Sequence, residues 1–348
     1  MKDIILLTDY KGNFGSKWNA KPYRSGMDQN LIKKYFNEEN FNTLFLKFHN
    51  AIKINDFSNK IILYTSSEDP EYIYKSYIED VILNIKLKGA LMFPKFEFLR
   101  ANNNKVSMEL LRKNSLNKNL KTIKSIEFGC YEEYLEYIKE EKISFPLVYK
   151  ESEGAMSKGV FLAKDKNELE KIIKNSSSNK YRLKNYTTRL KDIYRSKKHP
   201  NYVKDSIYRK KFILQEFIPN LNFDLKVLIF GSKIYICKRP TKKGDFRASG
   251  SGADRYLFGS KVDIPKGLFD FVDQIRNEFD TPNLSVDIAY DGVSFHLIEF
   301  QAIYFGTSII VKSDGFYKKT NDKYVFSKDK VDVEKVYVDS IIEYLNKK

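Results

Sequence analysis

The strongest constraint on this chain is a rhythm in its first hundred residues. Short apolar runs at 4–8, 43–48, 60–65 and 89–93 alternate with amphipathic stretches at 29–36 and 71–85. Apolar runs of that length read as strands, and the stretches between them have helical spacing. The pattern predicts a β-α-β succession and a small, mostly parallel α/β sheet. Gly12, Gly15, Ser16 and Lys17 follow the first strand, but the spacing GxxxxGK[ST] is absent, so they read as an ordinary strand-exit loop.

The whole chain has 348 residues, enough for two or three compact units. With 42% hydrophobic and 15% aromatic residues and only 9 Pro and 16 Gly, disordered and collagen-like classes are excluded. Cys130 and Cys237 stand far apart with no CxxC or Cys/His cluster, which excludes a disulfide framework and a structural zinc site. The run at 4–8 is far too short for a signal peptide or a membrane span, so the expectation is a soluble cytoplasmic protein without a transmembrane segment.

Further along, an Asn-rich stretch at 101–105 predicts a domain boundary, followed by a helix near 107–112 and another at 131–141. Residues 145–150 read as a strand ending on Lys150, then a loop bearing Gly154 and Gly159, a strand at 160–163 and a helix at 167–174 capped by Asp165 and Glu168. Strands are expected at 212–217, 225–230 and 233–238, a helix at 268–278, a hairpin of 284–289 with 294–300 around Asp291-Gly292, and a closing helix at 333–345. The expected segments are 1–100, 101–211 and 212–348.

Chemistry gathers at the hairpin. Asp287 lies on one strand, Glu299 and Gln301 on the other, and hard oxygen donors of this kind suit magnesium shared with the phosphates of a nucleotide. Solvated strand carboxylates that merely fall close together are the plainer reading of the same residues. A two-residue turn would put Asp287 and Glu299 on opposite faces and an odd loop would put them on one; the odd loop is predicted. Lys105 and Lys150 are placed to meet phosphates, the second beside the glycine-bearing loop. Arg239 and Arg247 could neutralise a phosphoryl group in transfer, and His296 reads as a satisfied strand histidine.

These residues occur in an order that resembles a known family. The elements are Phe145-Pro146-Leu147-Val148-Tyr149-Lys150 with Gly154 and Gly159, then Leu214-Gln215-Glu216-Phe217-Ile218, Asp224-Leu225-Lys226, Lys238-Arg239 and Gly244-Asp245-Phe246-Arg247. Val286-Asp287-Ile288 and Leu297-Ile298-Glu299-Phe300-Gln301 complete the set. Together they resemble the ATP-grasp superfamily, closest to the ribosomal-protein glutamate ligase and glutathione synthetase-like branch, over residues 101–306. The resemblance implies an α/β fold with α+β elements: an ATP-grasp fold, preceded by the small parallel-sheet α/β domain, that holds its nucleotide between two lobes.

It also implies an ADP-forming carboxylate–amine ligase that makes an amide or peptide bond through an acyl phosphate, using ATP and two Mg2+ ions, with Mn2+ as a substitute. The substrates would be a carboxylate borne by an amino acid, peptide or sugar acid, and an amine. Lys105, Lys150, Gly154, Gly159 and Ser249 would meet the phosphates, the backbone of Gln215, Glu216, Phe217 and Ile218 the adenine, and Asp224 the ribose. Arg239, Arg247 and Lys226 would serve the acyl phosphate, and Asp287, Glu299 and Gln301 the metal. The sequence departs from the family in having Gln301 for Asn, Ala248-Ser249 for Ser-Asn, and Lys226 for Arg. The alternatives are a small-molecule kinase on the same fold, or a non-catalytic ATP-binding module with a polyanion-binding arm.

That arm is where the charge lies. Lys and Arg number 61 against 45 Asp and Glu, a net +16, and +10 of it falls in residues 179–211, which hold twelve basic residues and two acids. Three readings stay open for this insertion: a solvated surface segment, a lid for an anionic co-substrate, or, with Tyr181, Tyr186, Tyr194, Tyr202 and Tyr208 among the charges, a surface for nucleic acid, the least favoured.

Overall fold

A computed structural model of the chain describes residues 2–154, 158–177, 182–242, 244–248 and 253–348, with the backbone alone at 2, 182–186 and 253. Two compact units emerge. One comprises Met1–Asn102, Asn114–Thr122 and Asn220–Lys348, the other Asn103–Lys113 and Ile123–Pro219.

The chain begins with β1 (Lys2–Thr8), α1 (Gln29–Glu38), β2 (Phe41–Lys47), α2 (Phe48–Ala51), β3 (Ile61–Tyr64), α3 (Ile73–Leu87), β4 (Leu91–Phe93) and α4 (Phe96–Ala101). The four strands form a parallel sheet in the order β2-β1-β3-β4. Alternation along β1 explains the continuous apolar run. Ile4 and Leu6 pack with Ile32 and Phe36 of α1, whereas Ile5 and Leu7 pack with Phe48, Ile78 and Ile82 of α2 and α3. Neither face meets water.

In the second unit, α5 (Lys105–Lys113) precedes β5 (Ser125–Phe128), α6 (Tyr131–Glu140), β6 (Leu147–Glu151), β7 (Val160–Ala163), α7 (Lys166–Ser177), α8 (Arg182–Lys198) and β8 (Phe212–Glu216). The strands form an antiparallel sheet ordered β5-β8-β6-β7. Phe128, Tyr134, Tyr149, Leu169, Ile173 and Phe212 fill the space between this sheet and α6 and α7. The start of α7 is held as its sequence suggests. Asp165 accepts from the Glu168 amide at 2.9 Å, and the Glu168 carboxylate accepts from the Lys164 amide at 2.8 Å.

The first unit then resumes with β9 (Phe223–Phe230), β10 (Lys233–Pro240), β11 (Leu257–Phe258), α9 (Leu268–Phe279), β12 (Asn283–Tyr290), β13 (Phe295–Gln301), α10 (Ser308–Lys312), β14 (Phe316–Thr320), β15 (Lys323–Ser327) and α11 (Val333–Leu345). An antiparallel sheet runs β13-β12-β9-β10-β14-β15, with β11 beside β10. The β14–β15 hairpin is a feature the sequence reading passed over. Its turn residues Asn321 and Asp322 both have positive φ, 48° and 60°, so an Asn-Asp pair between short alternating runs was the available signal.

The long loop between β1 and α1 is anchored from α11. Glu334, fully buried, accepts from Lys17 Nζ at 2.9 Å and from the Asp28 amide at 2.7 Å, so one carboxylate ties the middle of the loop to its end. The Trp18 amide donates to Thr307 Oγ1 at 2.9 Å. Lys17 therefore closes a strand-exit loop. Glu334→Ala should lower the unfolding free energy by about 2 kcal/mol, because it leaves a half-buried ammonium and an amide without their acceptor; an unshifted denaturation midpoint would contradict this anchoring.

Candidate active site

In the second unit, Lys105 opens α5, with Asn104 capping by accepting from the Ser107 amide at 3.3 Å. The Lys105 amide donates to Ser152 O at 2.8 Å and its Nζ to Gly154 O at 3.0 Å, so this lysine is folded against the glycine-bearing loop. Lys150, on β6, is buried like Lys105. Gly154 has φ 127° and Gly159 φ 72°, and a Cβ at Gly159 would strike the Glu151 side chain at 2.7 Å, so the loop can close back on β6 only with glycine there. Two lysines and a glycine loop, all expected to meet phosphate, are thus brought together.

Strand β8 lies between β5 and β6. Gln215 pairs with Ser125 on one side and Val148 on the other, and the Glu216 amide donates to Lys124 O at 2.9 Å. The backbones of both residues are therefore engaged in the sheet, and the chain leaves it at Phe217 and Ile218. The contribution of Gln215 is its side chain, whose Nε2 donates to Glu109 Oε1 at 3.2 Å. Glu109 and Arg112, both buried on α5, went unnoticed in the sequence. Glu109 Oε2 accepts from Arg112 Nε at 3.0 Å and Ser125 Oγ at 2.7 Å, while Arg112 Nη2 donates to Ile123 O at 2.8 Å. A Glu and an Arg at i,i+3 look like any surface pair until the fold buries them.

In the first unit, four adjacent strands place six charged or amide side chains on one sheet face. Arg239 of β10 stands opposite Asp224 of β9, Lys226 of β9 opposite Asp287 of β12, and Asp287 opposite Glu299 of β13. Asp224 and Lys226, and likewise Glu299 and Gln301, share the face by the strand period of two. Arg239 binds Asp224 in a fork, Nε to Oδ1 at 2.6 Å and Nη2 to Oδ2 at 2.7 Å, and its Nη2 also reaches Asp287 Oδ2 at 2.8 Å. Lys226 Nζ lies 3.3 Å from Asp287 Oδ1, and Gln301 Nε2 donates to Glu299 Oε1 at 2.8 Å.

The route to this pairing corrects one expectation. The turn is not an odd loop: Tyr290 pairs with Phe295 across four residues, a count that alone would set Asp287 against Ile298. A β-bulge between Asp287 and Ile288 leaves Ile298 over and brings Glu299 opposite Asp287. Asp291 shapes the loop by accepting from the Val293 and Ser294 amides at 2.8 and 2.7 Å. His296 is satisfied on both nitrogens, by Asp291 Oδ2 at 3.0 Å and Thr122 Oγ1 at 2.9 Å.

One arginine serving two carboxylates splits their acidities. Burial pushes Asp224 up to about 6 against the pull of Arg239. Burial would also raise Asp287, but Arg239 and Lys226 together outweigh it and hold that carboxyl at about 2. Arg247 is bound by Asp245, two residues away, with Nε to Oδ1 at 2.9 Å and Nη2 to Oδ2 at 2.8 Å. Ser249 lies outside the described residues.

The donor set fits magnesium. Two carboxylates on directly opposed residues and a same-face amide oxygen are the hard ligands this ion takes together with substrate phosphates. Among the described residues no group of three or more His, Cys, Asp or Glu side chains could hold a metal by itself. At 3.3 Å the Lys226 contact is the longer of the two on Asp287, so Oδ1 is the oxygen more readily given up to an ion.

The two metal-type carboxylates differ in what else they do, which gives a test. Asp287→Asn removes one of the two counter-charges of Arg239 and that of Lys226 and should cost about 3 kcal/mol of stability, whereas Glu299→Gln should stay within about 1 kcal/mol of the parent. A carboxyl depressed in the folded state contributes stability above its unfolded value near 3.8 that is lost as pH falls towards about 2. The acid side of the stability–pH curve should therefore flatten between about pH 4 and pH 2 in Asp287→Asn and not in Glu299→Gln. Equal losses in the two variants would contradict the geometry.

Residues 101–254 match the model of a family described as RimK-like ATP-grasp domain. Solved structures of similar fold include a RimK domain protein ATP-grasp from Sphaerobacter thermophilus, with a TM-score of 0.52 at 12% identity over 98% of this chain and 99% of that one. D-cycloserine synthetase DcsG aligns with a TM-score of 0.52 at 9% identity over 99% of each chain. A RiPP-associated ATP-grasp ligase from Chryseobacterium gregarium, in complex with ADP and a leader and core peptide, reaches 0.55 at 10% identity over 99% of this chain and 97% of that one. No curated protein matches the sequence. At these identities the likeness is one of fold. Residues 101–254 thus resemble a RimK-like ATP-grasp domain, and the chain has the fold of these solved ATP-grasp structures.

Proposed function

We propose that the protein is an ATP- and Mg2+-dependent ligase that joins a carboxylate to an amine and releases ADP and phosphate. The observation that carries this reading is the sheet face of β10, β9, β12 and β13, where Arg239 and Lys226 alternate with Asp224, Asp287 and Glu299. Such a face suits phosphoryl transfer, which depends on positioning and charge neutralisation.

Each residue then has a task. Lys105, Lys150 and the loop with Gly154 and Gly159 hold the triphosphate, and Phe217 and Ile218, beyond the end of β8, offer their backbone to adenine. Asp287, Glu299 and Gln301 hold Mg2+, which when bound neutralises phosphate oxygens. Arg239 and Lys226, with Arg247, orient the carboxylate and offset charge on the phosphoryl group. The carboxylate oxygen bonds to the γ-phosphorus as the bond to ADP breaks; the amine nitrogen then bonds to the acyl carbon as phosphate leaves, and the amine gives its proton to solvent. Asp224, locked in a fork with Arg239, orients that arginine in addition to any hold on ribose.

The carboxylate is borne by an amino acid, a peptide or a sugar acid. Cys237, pushed up to about 12 by burial, is an inert thiol, and no described helix is long and apolar enough to cross a membrane. Both fit work in a reducing cytoplasm.

The purified chain with ATP, Mg2+ and pooled carboxylates should release ADP and, with hydroxylamine in place of the amine, form a hydroxamate. Glu299→Gln should lower that turnover at least about 100-fold while remaining folded. A stable phosphorylated hydroxyl product, or undiminished turnover in the variant, would contradict the proposal.

A further inference from the structure

Helix α8 and the segment that follows it present a surface the ligase chemistry does not use. From Arg189 to Lys198 every residue except Asp192 is exposed, and Asp192 is covered by its own chain, accepting from Tyr202 Oη at 2.8 Å. Leu190, Ile193 and Tyr194 are 53%, 49% and 63% exposed, and their i, i+3, i+4 spacing makes them one stripe. Arg189, Lys191, Arg195, Lys197 and Lys198 surround it. Arg195 has Asp192 at 3.8 Å, and Lys198 lies 5.7 Å over the Tyr194 ring. Among the described residues Arg189, Lys191, Lys197 and Lys204 pair with no carboxylate.

A helix in water draws most of its stability from an apolar face packed against something else. In α8 that face is turned to solvent, and Lys191 and Arg195, at i,i+4 along one flank of it, repel each other. A partner bearing both aliphatic side chains and carboxylates would satisfy both deficits at once. Nucleic acid offers charge without aliphatic surface. A helix lying on a bilayer has a broader apolar face, whereas this stripe is three residues with cations on either side.

We propose that the exposed face of α8, centred on Leu190, Ile193 and Tyr194, docks an acidic polypeptide segment that carries aliphatic side chains. The contact is the helix-in-surface kind, with apolar anchors at helical spacing and charge setting register and approach. It stands on α8 alone, so it can be tested without ATP and its failure would leave the ligase reading intact.

The experiment is a fluorescence-anisotropy titration of the full chain with a labelled synthetic peptide of Glu with Leu at i, i+3, i+4 spacing. Saturable binding is expected, weakening as salt rises. Leu190→Ser with Ile193→Ser, and separately Arg189→Gln with Lys191→Gln and Lys197→Gln, should each weaken it at least about tenfold. The glutamines keep helix propensity, and circular dichroism checks that α8 persists. The same peptide with Ser for Leu should bind at least about tenfold more weakly. No saturable binding, equal binding of the Ser-containing peptide, unchanged affinity in both variants, or capture of phosphatidylserine vesicles or a thymidine oligonucleotide in place of the peptide would each overturn the proposal.

Discussion

A single guanidinium organises the charged face of the first unit. Arg239 is buried, holds Asp224 by both oxygens and reaches Asp287 across the neighbouring strand, so three strands are cross-linked through one side chain. Burying that charge costs several kcal/mol unless it is fully paired, and a single carboxylate would leave part of the guanidinium unmet. The second carboxylate comes from β12, and its free oxygen faces Lys226. The arrangement is therefore a small lattice of alternating charges in which no member can be removed without exposing another. Asp287, held at about 2, stays ionised at any physiological pH, as a metal ligand requires.

The bulge in the β12–β13 hairpin converts that lattice into a site. Were Ile298 paired in register and not bulged, Glu299 would fall on the opposite face and Asp287 would face an isoleucine. With it, two carboxylates stand across a strand pair and Gln301 follows on the same face. The strand period does the rest, because residues two apart are presented together. The phosphate-type lysines of the second unit obey a separate logic: Lys105 is fixed by the start of a helix, and Lys150 by a strand end whose loop returns on Gly159.

Much of this was legible in the sequence wherever a residue's own neighbours determine its place. The parallel sheet followed from runs with no polar face, the strand at β6 from its apolar residues before Lys150, and the helix at α11 from its period. Order along the chain was enough to pair Asp287 with Glu299 and Gln301 as a group. What stayed hidden depends on partners distant in sequence. Glu109 and Arg112 become buried only when β5 and β8 close over α5, and Ile298 becomes a bulge only when β12 supplies the register against it. Asp224 read as a free ligand because nothing in its neighbourhood announces Arg239, fifteen residues away on the next strand. The β14–β15 turn was readable from Asn321-Asp322 and was passed over.

On the proposed function, Asp287 and Glu299 would hold a divalent ion in place of the Lys226 contact when nucleotide is present. Electron paramagnetic resonance of Mn2+ added to the full chain reads this directly, with free and bound ion resolved in one titration. Mn2+ should bind tightly with ADP or a non-hydrolysable ATP analogue present and only weakly without it. In Glu299→Gln the nucleotide-dependent binding should fall at least about tenfold while nucleotide itself still binds. Mn2+ binding that ignores nucleotide, or that survives unchanged in the variant, would contradict the account.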